Sequence, residues 1–150
     1  MTKKGLSCLI LVLSFVTVKA SGCEDLLLES GSIIIPPPGS QYAVGYFNIK
    51  NTSQKEIVIK RFSSSIFESI SIHRTSHSPA KSMSQMRQVN KLSIPPQQRL
   101  IAQPGGTHLM IRVPNDSYSL TDQQVKLIVS CEKKTSSEMM FLVTHRELMH

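Results

Sequence analysis

The chain has 150 residues, a formal net charge of +7 at neutral pH and 5% aromatic residues, with no Trp. That length holds one domain around one core. Scattered basic residues and scarce aromatics exclude the dense cationic or aromatic-studded surface of a nucleic-acid binder.

Lys3 and Lys4 precede an apolar run from Leu6 through Val18, too short to span a bilayer comfortably. Val18-Lys19-Ala20 then offers small side chains for cleavage, so residues 1 to 20 read as a secretory signal peptide and the protein as periplasmic. Losing Lys3, Lys4 and Lys19 lowers the formal charge to +4, fourteen basic residues against ten acidic. Cys8 leaves with the signal, and the remaining Cys23 and Cys131 form one disulfide in the simplest reading of an exported chain. A competing reading makes Cys23, after Ala20-Ser21-Gly22, the lipid-modified first residue of a membrane-anchored lipoprotein. Only in that case is a membrane a partner.

From residue 21 onward, short β-branched runs separated by Gly, Pro, Ser and Asn clusters predict strands. In chain order they are Asp25 to Leu28, Ser32 to Ile35, Ala43 to Asn51, Glu56 to Phe62 and Glu68 to Thr75, followed by Met86 to Val89, Arg99 to Ala102, His108 to Val113, Val125 to Cys131 and Glu138 to Thr144. The Pro36-Pro37-Pro38-Gly39-Ser40 stretch, Asn51-Thr52-Ser53, Pro95-Pro96 and Pro104-Gly105-Gly106 mark turns. Ser76 to Ser84, rich in Ser, His and Lys, reads as a loop. Val125, Leu127, Val129 and Cys131 alternate with polar Lys126 and Ser130, as in a sheet with one solvated side. No stretch carries the period of a long amphipathic helix. The expectation is an all-β sandwich over residues 21 to 144, with 145 to 150 a flexible tail.

Chemistry concentrates in Thr107-His108-Leu109-Met110-Ile111. Residues two apart share a strand face, so His108 and Met110 stand together while Leu109 and Ile111 face the other way. A thioether beside an imidazole suits soft Cu(I) and is a poor site for hard cations. Cys131 is a weak candidate for a copper thiolate, because no His or Met lies within four residues of it. No Gly-x-Ser-x-Gly elbow or His-Glu-x-x-His helix occurs, and the chain is read as a non-enzyme.

Met86 and His108 are separated by 21 residues, and His108-Leu109-Met110 supplies a His-x-Met pair. Tyr42-Ala43-Val44-Gly45-Tyr46-Phe47-Asn48, Met86-Arg87-Gln88-Val89, Leu92-Ser93-Ile94-Pro95 and Pro104-Gly105-Gly106-Thr107 lie around these residues. On this spacing and these segments, residues 25 to 144 resemble the periplasmic copper chaperone family PCu(A)C. The resemblance implies a cupredoxin-like β-sandwich of Greek-key type and a Cu(I) site built from His73, Met86, His108 and Met110. It further implies delivery of copper to the CuA site of a cytochrome c oxidase subunit, directly or with a Sco-type thioredoxin-like partner.

Twelve residues separate His73 from Met86, two more than the family usually has, so His77 is an alternative first ligand. His73 is favoured because Ile70 and Ile72 can face the core while Ser71 and His73 share the opposite face. Met83 is an additional candidate. The tail residues His145, Met149 and His150 are candidates for a second copper, as Cu(II). The alternative function is a non-metal secreted β-sandwich serving adhesion or protein interaction.

Overall fold

Alternation of apolar and polar side chains turns nearly every described segment into strand. The structure, a computed structural model, describes residues 21–37, 39–78 and 83–145, without the side chains of 77, 78, 83 and 118. Ten strands follow in order: β1 Leu26–Ile35, β2 Tyr42–Asn51, β3 Ile57–Ser63, β4 Ser69–Ser78, β5 Met83–Val89, β6 Leu92–Ile94, β7 Arg99–Ala102, β8 Thr107–Arg112, β9 Gln124–Cys131 and β10 Ser136–His145. Short 3-10 helices occupy Cys23–Asp25 and Ser117–Leu120.

The strands hydrogen-bond in one continuous order, β5-β4-β8-β2-β1-β10-β9-β3-β6, and β7 pairs with β2 beyond the end of β8. Among the described residues every ladder is antiparallel except β1 with β10. The inward faces of both halves of this ribbon meet in one core. Phe62, Phe141, Ile33, Ile59, Leu109 and Leu127 are fully buried there, and Phe47 packs on Phe62 with ring centroids 5.3 Å apart. The all-β sandwich expected from the sequence is therefore what forms.

Local chemistry adjusts the expected boundaries. Two expected strands near the N-terminus are one strand, β1, with a bulge at Leu28/Ser30. Gly31 continues it because a Cβ there would lie 2.8 Å from the Phe141 ring. The loop expected over Ser76 to Ser84 is corrected to strand on both sides. Ser76 pairs with Gln85, His77 with Ser84 and Ser78 with Met83, which confines the connection to residues 79 to 82, outside the described set. The sequence hid these pairs because this end of the hairpin has exposed positions on both faces and so no apolar alternation. β6 was likewise unanticipated; it buries Leu92 and Ile94 against β3.

Two features lock the frame. Asn51, fully buried, donates its side-chain amide to the carbonyls of Lys55 (2.7 Å), Ile94 (2.9 Å) and Pro95 (3.2 Å). Cys23 and Cys131 form a disulfide, tying the N-terminal 3-10 helix to the end of β9. A lipid thioether and a disulfide would use the same sulfur, so the bond to Cys131 and lipidation are mutually exclusive states of Cys23. In that bond Cys131 is unavailable as a copper thiolate.

Candidate metal centre

The ladder registers of β8, β4 and β5 decide which side chains share the outer sheet face. His108 pairs with His73, and His73 pairs with Gln88 on its other side. One step along, Met110 pairs with Ser71; one step the other way, Thr75 pairs with Met86. Laterally paired residues point to the same face, so His73, Met86, His108 and Met110 all stand on one side of a three-stranded surface. Leu109, Ile111 and Ile72 occupy the other side and are buried. Gly45, paired with Leu109 from the neighbouring strand β2, leaves room for the Leu109 side chain, since a Cβ there would lie 3.0 Å from Leu109 Cβ.

The two imidazoles form the centre of the group, with ring centroids 5.9 Å apart and planes tilted by 28°. His108 is 7% exposed, more covered than a surface strand face suggests, whereas Met86 is 51% exposed. Met110 and His73 are half-buried. Met86 lies in β5, at the end of the strand order, one strand and two residues from His73, which places their Cα atoms about 8 Å apart. It is the outlying donor: by the same spacings its Cα lies about 12 Å from that of His108 and about 16 Å from that of Met110, so it joins them only if the β4–β5 hairpin bends inward.

Each ring has one nitrogen held by the protein. His108 Nδ1 is 3.1 Å from the carbonyl of Gly106, which also accepts from the Thr75 backbone N–H at 3.1 Å. His73 Nε2 is 3.0 Å from Ser71 Oγ. His73 Nδ1 is buried and has no hydrogen-bond partner. Burial, and secondarily the neighbouring His108, push the His73 imidazole below its ordinary pKa. It is thereby kept neutral, the form that can bind a metal.

The donor set fits a soft ion. Among the described residues no three His, Cys, Asp or Glu side chains gather into a metal site. A metal held on this face has to use thioethers with the two imidazoles, a neutral combination that suits Cu(I) better than Zn(II) or a hard cation. The remaining candidates are not brought to this centre. His77 continues along β4, opposite Ser84, and its side chain and that of Met83 lie outside the described set. His145 ends β10, paired with Ile35. It has the parity of the buried Phe141 and Val143, three ladders from β8. Met149 and His150 fall outside the described residues. Sequence reasoning placed Ser71 on the correct face but missed its contact with His73; a Ser-x-His pair on one strand is the signal that carried it.

The LpqE-like lipoprotein family model matches residues 14–143. The chain belongs to the LpqE-like (PCuAC) family. Its fold is that of solved PCuAC domains. The apo PCuAC domain from PmoF1 superposes with a TM-score of 0.66 at 17% identity, covering 81% of this chain and 95% of that one. The copper-bound PCuAC domain from PmoF2 gives 0.62 at 16% identity, covering 81% and 94%. Apo-DR1885 from Deinococcus radiodurans gives 0.60 at 17% identity over 98% of both chains. No curated protein matches the sequence.

Proposed function

We propose that this family member is a Cu(I) carrier working outside the cytoplasm, with His73, Met86, His108 and Met110 as its copper ligands. The observation that carries this is the β5-β4-β8 register, which gathers two imidazoles and two thioethers on one sheet face. Two similar folds are solved with copper, the PCuAC domain from PmoF2 and CuI-DR1885 from Deinococcus radiodurans, which supports copper as the cargo. Neutral ligands leave the ion's charge uncompensated and hold it less tightly than a thiolate cage. Met86, at an exposed edge, is the donor that an incoming acceptor ligand can displace first. Such a site binds and releases a metal; it holds no activated nucleophile, and the protein is a carrier rather than an enzyme.

The Cys23–Cys131 disulfide supports an extracytoplasmic location, since disulfides persist in oxidising compartments, as does the envelope character of a lipoprotein-like family. The recipient is the CuA site of a cytochrome c oxidase, with or without a Sco-type intermediary. Anaerobic Cu(I) titration followed by X-ray absorption tests the centre: two sulfur and two nitrogen neighbours are expected. Met86→Leu with Met110→Leu, nearly isosteric, leaves the fold intact and removes the sulfur scattering. A first shell without sulfur in the native protein overturns the assignment. Delivery is tested separately by mixing the Cu(I) form with a metal-free soluble oxidase CuA domain and following its purple absorption; no transfer in the presence of oxidant and a Sco-type protein removes that recipient.

A further inference from the structure

His73 and His108 are held in opposite senses. A carbonyl oxygen only accepts hydrogen bonds, so the contact of His108 Nδ1 with the Gly106 carbonyl at 3.1 Å puts the proton on Nδ1 and leaves the Nε2 lone pair free. For His73 the decision passes through Ser71. Its Oγ lies 3.3 Å from the Met110 carbonyl and 3.0 Å from His73 Nε2. The hydroxyl has one proton, and the Met110 carbonyl can only accept it. Ser71 Oγ is then left to accept from His73 Nε2–H. The opposite arrangement places the His73 proton on Nδ1, which is buried without a partner, and orphaned buried N–H groups are rarer in folded proteins than under-satisfied acceptors.

We propose that Ser71 is a positioning residue that fixes His73 as its Nε2–H tautomer, so that His73 presents Nδ1 and His108 presents Nε2 to the metal. The metal half of this proposal rests on the copper reading above; the tautomer half does not. Metal-binding histidines characteristically donate their second ring N–H to a protein acceptor, which fixes ring orientation and raises ligand basicity. Here the acceptors are the Gly106 carbonyl and the Ser71 hydroxyl. Because Ser71 sits directly opposite Met110, one hydroxyl links the His73 ring to the strand that carries His108 and Met110. Three of the four donors thereby share one hydrogen-bonded frame, and Met86 alone stands outside it.

The experiment is long-range ¹H–¹⁵N correlation NMR of the full-length mature chain, metal-free, above the titration range of the imidazoles. His73 is expected to show a protonated Nε2 and a bare Nδ1, and His108 the reverse. Stoichiometric Cu(I), added anaerobically, then shifts the bare nitrogens, Nδ1 of His73 and Nε2 of His108. Ser71→Ala leaves His73 a mixture of tautomers and weakens Cu(I) affinity about tenfold, while Ser71→Thr, which keeps the hydroxyl, restores both. A metal-free His73 protonated at Nδ1, or a Ser71→Ala spectrum with the His73 tautomer unchanged, overturns the role of Ser71. Should Ser71→Ala fail to fold, the wild-type spectrum alone decides the tautomer. A native chain that binds no Cu(I) but shows the expected tautomers overturns the carrier function and leaves the Ser71 assignment standing.

Discussion

Breaking the Cys23–Cys131 bond should perturb stability without touching the proposed metal centre. The two residues are 108 positions apart. In the chain-entropy model, a loop of that length removes about 16 cal/mol/K of denatured-state entropy, or about 4.8 kcal/mol at 25 °C. Native-state relaxation and residual denatured structure lower such values, so a loss of about 3–5 kcal/mol is expected. That is a large part of the ~5–15 kcal/mol typical of a domain. Reducing the native protein is the cleanest perturbation, because Cys23 and Cys131 are both buried and reduction leaves their volumes in place. In urea, with a slope of about 2 kcal/mol/M, the unfolding midpoint should drop by roughly 2 M. Cys23 and Cys131 lie in the N-terminal 3-10 helix and β9, not in β4, β5 or β8. Cu(I) affinity of the Cys23→Ala, Cys131→Ala variant, measured where it is still folded, should therefore equal that of the native chain. Oxidised and reduced midpoints within about 0.3 M of each other, or two titratable thiols in the oxidised protein, would refute the reasoning.

Further consequences concern charge and buried polar groups. Because the His73 pKa lies below its ordinary value, protons compete with Cu(I) for that ring only under acidic conditions. Protonation of His73 should therefore weaken Cu(I) binding only below the ordinary imidazole range, read by following the His73 ring by NMR alongside competitive Cu(I) titration across pH; a His73 ring that takes up its proton at or above that range contradicts it. The same sign applies to the metal-free fold: the unfolded chain takes up the His73 proton first, so this stabilising contribution is complete above the unfolded pKa and is lost as pH falls through the folded one. Glu29 is held below its usual pKa by its hydrogen bond to Arg99. The stability advantage of the native chain over Glu29→Gln should be present near neutrality and vanish as acid protonates Glu29, read as converging urea midpoints. Asn51→Ala strips the donors from three backbone carbonyls and should cost about 2–4 kcal/mol; a cost below about 0.5 kcal/mol means that water replaces the amide at no penalty.

Parity along a strand is a local property, and it was legible without the fold. His108 and Met110 share a face whatever lies beside them, and Ile70 and Ile72 had to turn inward if Ser71 and His73 turned outward. The β9 alternation from Val125 to Cys131 was equally plain, and its apolar positions are buried. Where apolar side chains ran out, the signal ran out too. Ser76, His77 and Ser78 were read as loop although they continue β4, because no apolar partner marks the inward positions of a hairpin end that projects past the core.

Sequence by itself determined most of the strands, the one-core sandwich, the pair of cysteines and the shared face of His108 and Met110, since these follow from residue type and a period of two, whereas His73 and Met86 entered through the family resemblance. Tertiary structure decided the register. One residue of slip between β4 and β8 would have turned His73 toward the core and away from His108, and no feature local to either strand forbids that slip. It is forbidden by burial of Ile72, Leu109 and Ile111 on the far side. The tautomers are decided at the same level, by Ser71 Oγ, the Met110 carbonyl and the Gly106 carbonyl. Backbone groups from another strand have no signature in the one-dimensional chain, and a hydrogen bond acquires its direction only once its partners are in place.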